Sequence, residues 1–180
     1  MEKGINIMRL NKPEMIRGLM NLIGNVNSYF GGEQIEMIEV GSYIGESTLM
    51  FEKALICKRI HCVDMWDKTD KYTISEISKA ENVFDMLTAK STLIKKHKTH
   101  SRNERLKSIG KVDFVYIDAS HKYEDVKADI AFYLPMIKEN GIIAGHDFAP
   151  KFDGVMRAVT EAFPDSNITL FEDTSWMVKL

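Results

Sequence analysis

Two short segments carry side chains able to move a proton or hold a cation. One is Asp118-Ala119-Ser120-His121-Lys122-Tyr123, the other Gly145-His146-Asp147-Phe148. Each follows a short apolar run, so both acids stand where a buried strand gives way to a loop. Two carboxylates brought to one rim suit a hard cation such as Mg²⁺, which prefers oxygen ligands and keeps several waters. Asp118 and Asp147 are the two carboxylates expected for it. A general base is the alternative: His121 or His146 could serve, since imidazole titrates near neutral pH. Spacing leaves the cation and the histidine readings both open, with Asp118 common to the two.

A third segment, Glu39-Val40-Gly41-Ser42-Tyr43-Ile44-Gly45-Glu46-Ser47-Thr48, reads as a turn from strand into helix. Gly41 and Gly45 let the backbone turn sharply and pass close to a ligand. The helix starting near Glu46 turns free backbone N–H groups toward that ligand. Asp64 follows about twenty residues on, where an acid at a strand end can accept both hydroxyls of a ribose. A dinucleotide fingerprint needs glycine at the first, third and sixth positions. Counted from Gly41 these are Gly41, Tyr43 and Glu46, and Glu46 would repel a diphosphate, so a nicotinamide dehydrogenase is disfavoured.

The elements that must position these residues follow from hydrophobic periodicity. Strands are expected at Ile35–Val40, Arg59–Asp64, Thr92–Lys95, Val112–Asp118 and Ile142–Ala144. Helices are expected at about Pro13–Tyr29, Glu46–Cys57, Ile74–Leu87, Glu124–Glu139 and Val155–Phe163, with Pro135 kinking or dividing the fourth of these. Met15, Ile16, Leu19, Met20 and Ile23 form the stripe by which the first helix packs on the sheet, a dimer contact or a lid over the site being the alternative. The alternation predicts an α/β fold, a Rossmann-like doubly wound sheet that is mostly parallel and covered on both faces. The last strands, Ile168–Phe171 and Trp176–Val178, are too close for a crossover helix and should form an antiparallel hairpin at the sheet edge. No repeat or Pro/Gly/Ser-rich linker interrupts the 180 residues. They read as one domain, residues 1–32 forming a helical segment and 33–180 the core.

The net charge of −2 gives no basic field for nucleic acid. The basic run from Lys95 to Arg102 reads as a solvated surface and lacks interleaved aromatics. No stretch approaches the roughly 18 apolar residues of a membrane span. The opening MEKGINIMRLNKPE lacks the apolar core of a signal peptide, and Cys57 and Cys62 read as buried and reduced, so a cytoplasmic location is expected.

EVGSYIGEST, CVDMW, DFVYIDASHKYEDVKADI, NGIIAGHDF and GVMRAVTEAF resemble, in order and spacing, the successive motifs of small bacterial class I methyltransferases. The group is methyltransferase family 24, related to the macrolide-sugar O-methyltransferases and to cephalosporin-hydroxylase-like proteins. The antiparallel ending suits this version of the fold. The resemblance implies S-adenosylmethionine as cofactor, whose sulfonium is compatible with Glu39 and Glu46. Carried over, Glu39, Gly41, Ser42 and Gly45 would line its methionine end, Ser47 would bond the carboxylate, and Asp64 would hold the ribose. Met65 and Trp66 would lie beside the adenine and Ser101 at its edge, where the family often shows Gly-Asp-Ser and this chain has Thr99-His100-Ser101. Asp118 would also contact the cofactor. Asp118 and Asp147 stand where the metal-dependent relatives carry acids, with His146 at a position sometimes filled by another acid, which makes these three the implied metal ligands. Methylation of a hydroxyl on a small molecule such as a sugar or secondary metabolite is the expected reaction. A non-catalytic cofactor-binding partner domain is the rival.

Overall fold

A computed structural model of the chain describes residues 12–69, 72–164 and 167–180. Residues 1–11, which hold most of the segment weighed as a leader and the start of the N-terminal helical segment, lie outside the described residues.

Helix α1 (Pro13–Tyr29) opens on Pro13, whose missing N–H costs nothing in a first turn. Its buried stripe is Gly18, Leu19, Leu22, Ile23 and Val26. Met20, expected in the stripe, is 60% exposed because it lies a third of a turn away from Leu19. Strand β1 (Ile35–Val40) runs into α2 (Glu46–Lys53), then β2 (Cys57–Asp64), α3 (Ile74–Thr88) and β3 (Ile94–Lys98). A short 3₁₀ turn (Glu104–Ile109) leads to β4 (Val112–Ile117), followed by α4 (Tyr123–Tyr133), β5 (Ile137–Gly145), α5 (Asp153–Ala162), β6 (Thr169–Leu170) and β7 (Trp176–Lys179). The sheet order is β3-β2-β1-β4-β5-β7-β6. All pairs from β3 to β5 are parallel, and β7 is antiparallel to both β5 and β6. This is the expected Rossmann-like doubly wound sheet with its antiparallel C-terminal hairpin.

The three largest boundary differences from the sequence expectation are these. α2 stops at Lys53 rather than Cys57, because Leu55 turns left-handed (φ 60°) and Cys57 already belongs to β2. α4 stops at Tyr133: Leu134-Pro135-Met136 form a single 3₁₀ turn, and Ile137, Lys138 and Glu139 open β5, with Ile137 in register with Val112. β3 runs to Lys98 rather than stopping at Lys95.

One core lies between the sheet and α1, α2 and α3, the other between the sheet and α4 and α5. Cys57 and Cys62 are free and buried in the first. Burial, with Glu39 nearby, pushes the Cys57 thiol up to about 12. α3 is started by a reciprocal cap: Thr73 accepts from Glu76 N–H, and the Glu76 carboxylate accepts from Thr73 N–H. No described helix is long and apolar enough to cross a membrane.

Gly18 fixes how α1 meets the rim. A Cβ there would lie 2.3 Å from Asp173 Oδ1 and 2.4 Å from Asp173 N. Glycine to alanine inside a helix ordinarily stabilises by up to about 1 kcal/mol. Here the sign reverses: Gly18→Ala is expected to destabilise by about 1–3 kcal/mol through overpacking. A urea midpoint equal to or above wild type would refute this.

Candidate functional site

β1 is where the strand order reverses, with β2 on one side and β4 on the other, and this is where open α/β sheets form their crevice. A cavity of about 1070 Å³ opens there, along the carboxyl ends of β1, β2, β4 and β5. Its rim is knit by backbone bonds from Gly41 N–H to Val63 C=O (2.8 Å), Asp118 N–H to Val40 C=O (2.7 Å) and His146 N–H to Ile117 C=O (3.1 Å). Tyr43, Trp66, Asp147 and Thr174 take positive φ at this rim, concentrating backbone strain around the cavity.

Gly41, Ser42, Ser47, Asp64, Met65, Ser101, Asp118, His121, His146 and Asp147 all line the cavity. Glu39, Gly45 and Trp66, also expected to touch a ligand, do not. Glu39 is fully buried beneath the loop, where Ser47 Oγ (2.6 Å) and Thr48 Oγ1 donate to it, so it holds the start of α2. Gly45 supplies the left-handed residue (φ 88°) before α2, against Phe84. Trp66 turns inward, packs on Phe84 at 4.8 Å and donates its indole N–H to Tyr43 C=O.

Burial raises the Glu39 carboxyl above its ordinary 4.5, against the bonds from Ser47 and Thr48. Above pH 4.5 the unfolded chain releases this proton first, so the folded state binds more protons and stability falls as pH rises, until the folded group ionises too. Glu39→Gln keeps an acceptor for Ser47 and removes that dependence. The variant is expected to gain on the order of 1 kcal/mol over wild type as pH is raised above 4.5, read from urea midpoints at stepped pH. Parallel curves for the two proteins would show that Glu39 does not titrate differently on folding.

Asp64 accepts from Tyr43 N–H and Trp66 N–H, both at 2.9 Å, which fixes its carboxylate at the end of β2. Burial raises its pKa, with these backbone N–H groups opposing. Ser101 lines the cavity, but its hydroxyl is given to Asp129 Oδ1 (2.8 Å). The basic run is partly paired: Lys96 bonds Glu81 and Asp85, and Lys98 bonds Glu81.

At the other end, donor atoms of Asp118, His121 and Asp147 all lie within 4.8 Å of one another. His121 Nε2 is 2.7 Å from Asp147 Oδ2. The expected metal set named His146 instead of His121. His146 is 8% exposed and its Nδ1 lies 3.0 Å from Asp147 Oδ1, so it braces Asp147 from behind. Burial would raise the Asp147 carboxyl, but the bonds from His121 and His146 outweigh it and hold the group well below the usual carboxylate range.

Several contributors carry no motif. Phe152 packs 4.4 Å from the His121 ring, and Tyr72 stacks on Tyr43 at 5.4 Å. Gly154 lets α5 approach: a Cβ there would meet His121 O at 2.5 Å. Asp173, buried and bonded by Ser175, lies 3.8 Å from His146 Nε2.

Solved structures with this fold include CalS11, a TDP-rhamnose 3′-O-methyltransferase of calicheamicin biosynthesis (TM-score 0.67, 14% identity, covering 93% of this chain and 81% of that one). Others are a Staphylococcus aureus protein described as a caffeoyl-CoA O-methyltransferase (0.65, 12%, 97% and 85%) and the Bradyrhizobium japonicum N-methyltransferase NodS with S-adenosyl-L-homocysteine (0.65, 13%, 94% and 87%). At such identities the likeness is one of fold. Comparison with curated proteins gives no match. The family model described as "Methyltransferase domain" matches residues 38–148, more than half of the chain and the whole stretch from the glycine loop to Asp147. The chain therefore belongs to the methyltransferase-domain family, as a class I S-adenosylmethionine-dependent methyltransferase.

Proposed function

We propose that the chain methylates a hydroxyl oxygen of a small molecule, such as a sugar or secondary metabolite. The observation that carries this reading is the convergence of Asp118, His121 and Asp147 in the same cavity as the glycine loop. Methyl transfer from a sulfonium is an in-line displacement on carbon, and positioning supplies on the order of 7–11 kcal/mol of barrier reduction. A hydroxyl also needs its proton removed as the C–O bond forms, and a histidine held by a carboxylate does this. Asp147, bonded to His121 Nε2, fixes the proton on that nitrogen, so Nδ1 carries the lone pair that takes the hydroxyl proton. S-adenosylhomocysteine and the methyl ether are the products.

Asp118, His121 and Asp147 also fit a divalent cation: two carboxylates and one imidazole, with room for water on the cavity side. When bound there, Mg²⁺ or a similar ion would lower the pKa of the acceptor hydroxyl. Two of the three similar proteins above are named as O-methyltransferases and the third as an N-methyltransferase. Asp64 is assigned to the ribose of the cofactor and Gly41 and Ser42 to its methionine end. Ser47, whose hydroxyl proton goes to Glu39, is left with its first-turn backbone N–H for the carboxylate.

The test is transfer from methyl-labelled S-adenosylmethionine to a panel of hydroxyl and amine acceptors, with added Mg²⁺ and with EDTA. Label recovered as a methyl ether is the expected result, and loss of transfer in EDTA would assign the cation. Transfer only to nitrogen or carbon would overturn the proposal.

A further inference from the structure

Asp129 is a buried carboxylate that proton removal at Asp118, His121 and Asp147 does not use. It sits on the sheet-facing side of α4, 1% exposed, and still lines the cavity. Aspartate is a poor helix former, and burying its charge is costly without compensating bonds. Those bonds come from the loop after β3: Ser101 Oγ and Arg102 Nη1 each donate to Asp129 Oδ1 at 2.8 Å. Arg102 also reaches the Asp125 carbonyl at 3.4 Å, and the Tyr133 hydroxyl donates to Ser101 C=O. The β3 loop is thus tied to α4 beside the cavity.

The location identifies what this carboxylate meets. With the glycine loop at the end of β1 and Asp64 at the end of β2 taking the ribose, a base would extend further along the same cavity, which Met65, Ser101 and Asp129 line. Adenine carries a 6-amino group there, which can only donate, and an ionised carboxylate can only accept. Among the described residues both side-chain bonds to Asp129 fall on Oδ1, which leaves Oδ2 for another donor. Ser101, the residue expected at the adenine edge, has its hydroxyl proton engaged with Asp129 and cannot offer it to the base.

We infer that Asp129 is the residue that selects adenine, accepting from its 6-amino group, while Ser101 and Arg102 hold the carboxylate in place. This rests on the chain's use of S-adenosylmethionine. A tie that only anchored the loop would have no preference between one purine and another, whereas an acceptor facing C6 would reject a 6-oxo group.

The test is calorimetric titration of the full chain with S-adenosylhomocysteine and with S-inosylhomocysteine, which has a 6-oxo group in place of the 6-amino. Wild type is expected to bind the adenine ligand about 10- to 100-fold more tightly. In Asp129→Asn the preference is expected to collapse, since the amide can turn its NH₂ toward the 6-oxo group. Equal binding of both ligands by wild type would overturn the inference with no variant needed. So would an Asp129→Asn protein that weakens both ligands by the same factor, the signature of a purely structural tie. Failure of wild type to bind S-adenosylhomocysteine at all would instead remove the cofactor reading, and this inference with it.

Discussion

Gly41→Ala is expected to abolish measurable S-adenosylmethionine binding and to lower stability by about 2–4 kcal/mol. Gly41 takes φ +92°, a conformation that already penalises any side chain. A Cβ would lie 2.2 Å from Asp118 O, 2.6 Å from its carbonyl carbon and 2.7 Å from Ala119 Cα. All three are backbone atoms at the end of β4 and cannot rotate aside. Relief must come from parting β1 and β4 at the rim, which breaks the Asp118 N–H bond to Val40 C=O and shifts Asp118. One methyl group therefore disturbs the cofactor loop and the proposed chemical centre together. Urea unfolding with calorimetric titration checks this, and wild-type values in both would show that the rim yields more easily than its contacts imply.

Replacing His121 by alanine should lower kcat by about 10²–10⁴-fold, measured with the hydroxyl acceptor found in the labelled-methyl screen. Cofactor affinity should stay near wild type, because His121 belongs to the Asp147 end of the cavity and not to the glycine loop. The variant also loses one of the two partners of Asp147. That carboxylate sits below its ordinary 3.8 when folded, so its stabilisation is fully present above pH 3.8 and is lost as pH falls toward the folded value. Removing His121 should weaken that contribution at neutral pH and leave stability less dependent on acid. An unchanged kcat would mean that the acceptor's proton leaves by another route.

Strands such as Ile35–Val40 and Val112–Ile117 were readable because short runs dominated by apolar residues, with apolar side chains on both faces, suit a strand buried on both sides. The final hairpin followed from a connection too short for a crossover helix, whereas the order of the parallel strands came only with the fold. The end of α4 was not readable, because Ile137 satisfies both a helical stripe from Val126 and the start of β5. Only the chain's need to pair with β4 decides between them. β3 was foreseen only as far as Lys95, because Lys96-His97-Lys98 belong to an edge strand that buries little. In the site, types and spacing placed Asp118 and Asp147 at the rim, but not which histidine joins them. That turns on backbone conformation: Asp147 takes φ 63°, which aims its carboxylate back between His146 and His121. Trp66, next to the ribose acid in sequence, turns into the core at φ 42°. Asp129 lay inside a quoted motif and still passed as an ordinary helix residue, since only the fold brings it against Ser101.

The two margins of the sheet bear on behaviour at high concentration. An exposed strand margin offers unpaired N–H and C=O groups to any passing chain, which is how soluble proteins begin to aggregate. On one margin β3 presents exposed Lys95 and Lys98, so a second copy approaching in strand register would bring like charges together. On the other, β6 is two residues long, too short a template for stable addition. The molecule is thereby protected against sheet extension from both sides, and replacing Lys95 and Lys98 by valine should make it precipitate before it loses its fold.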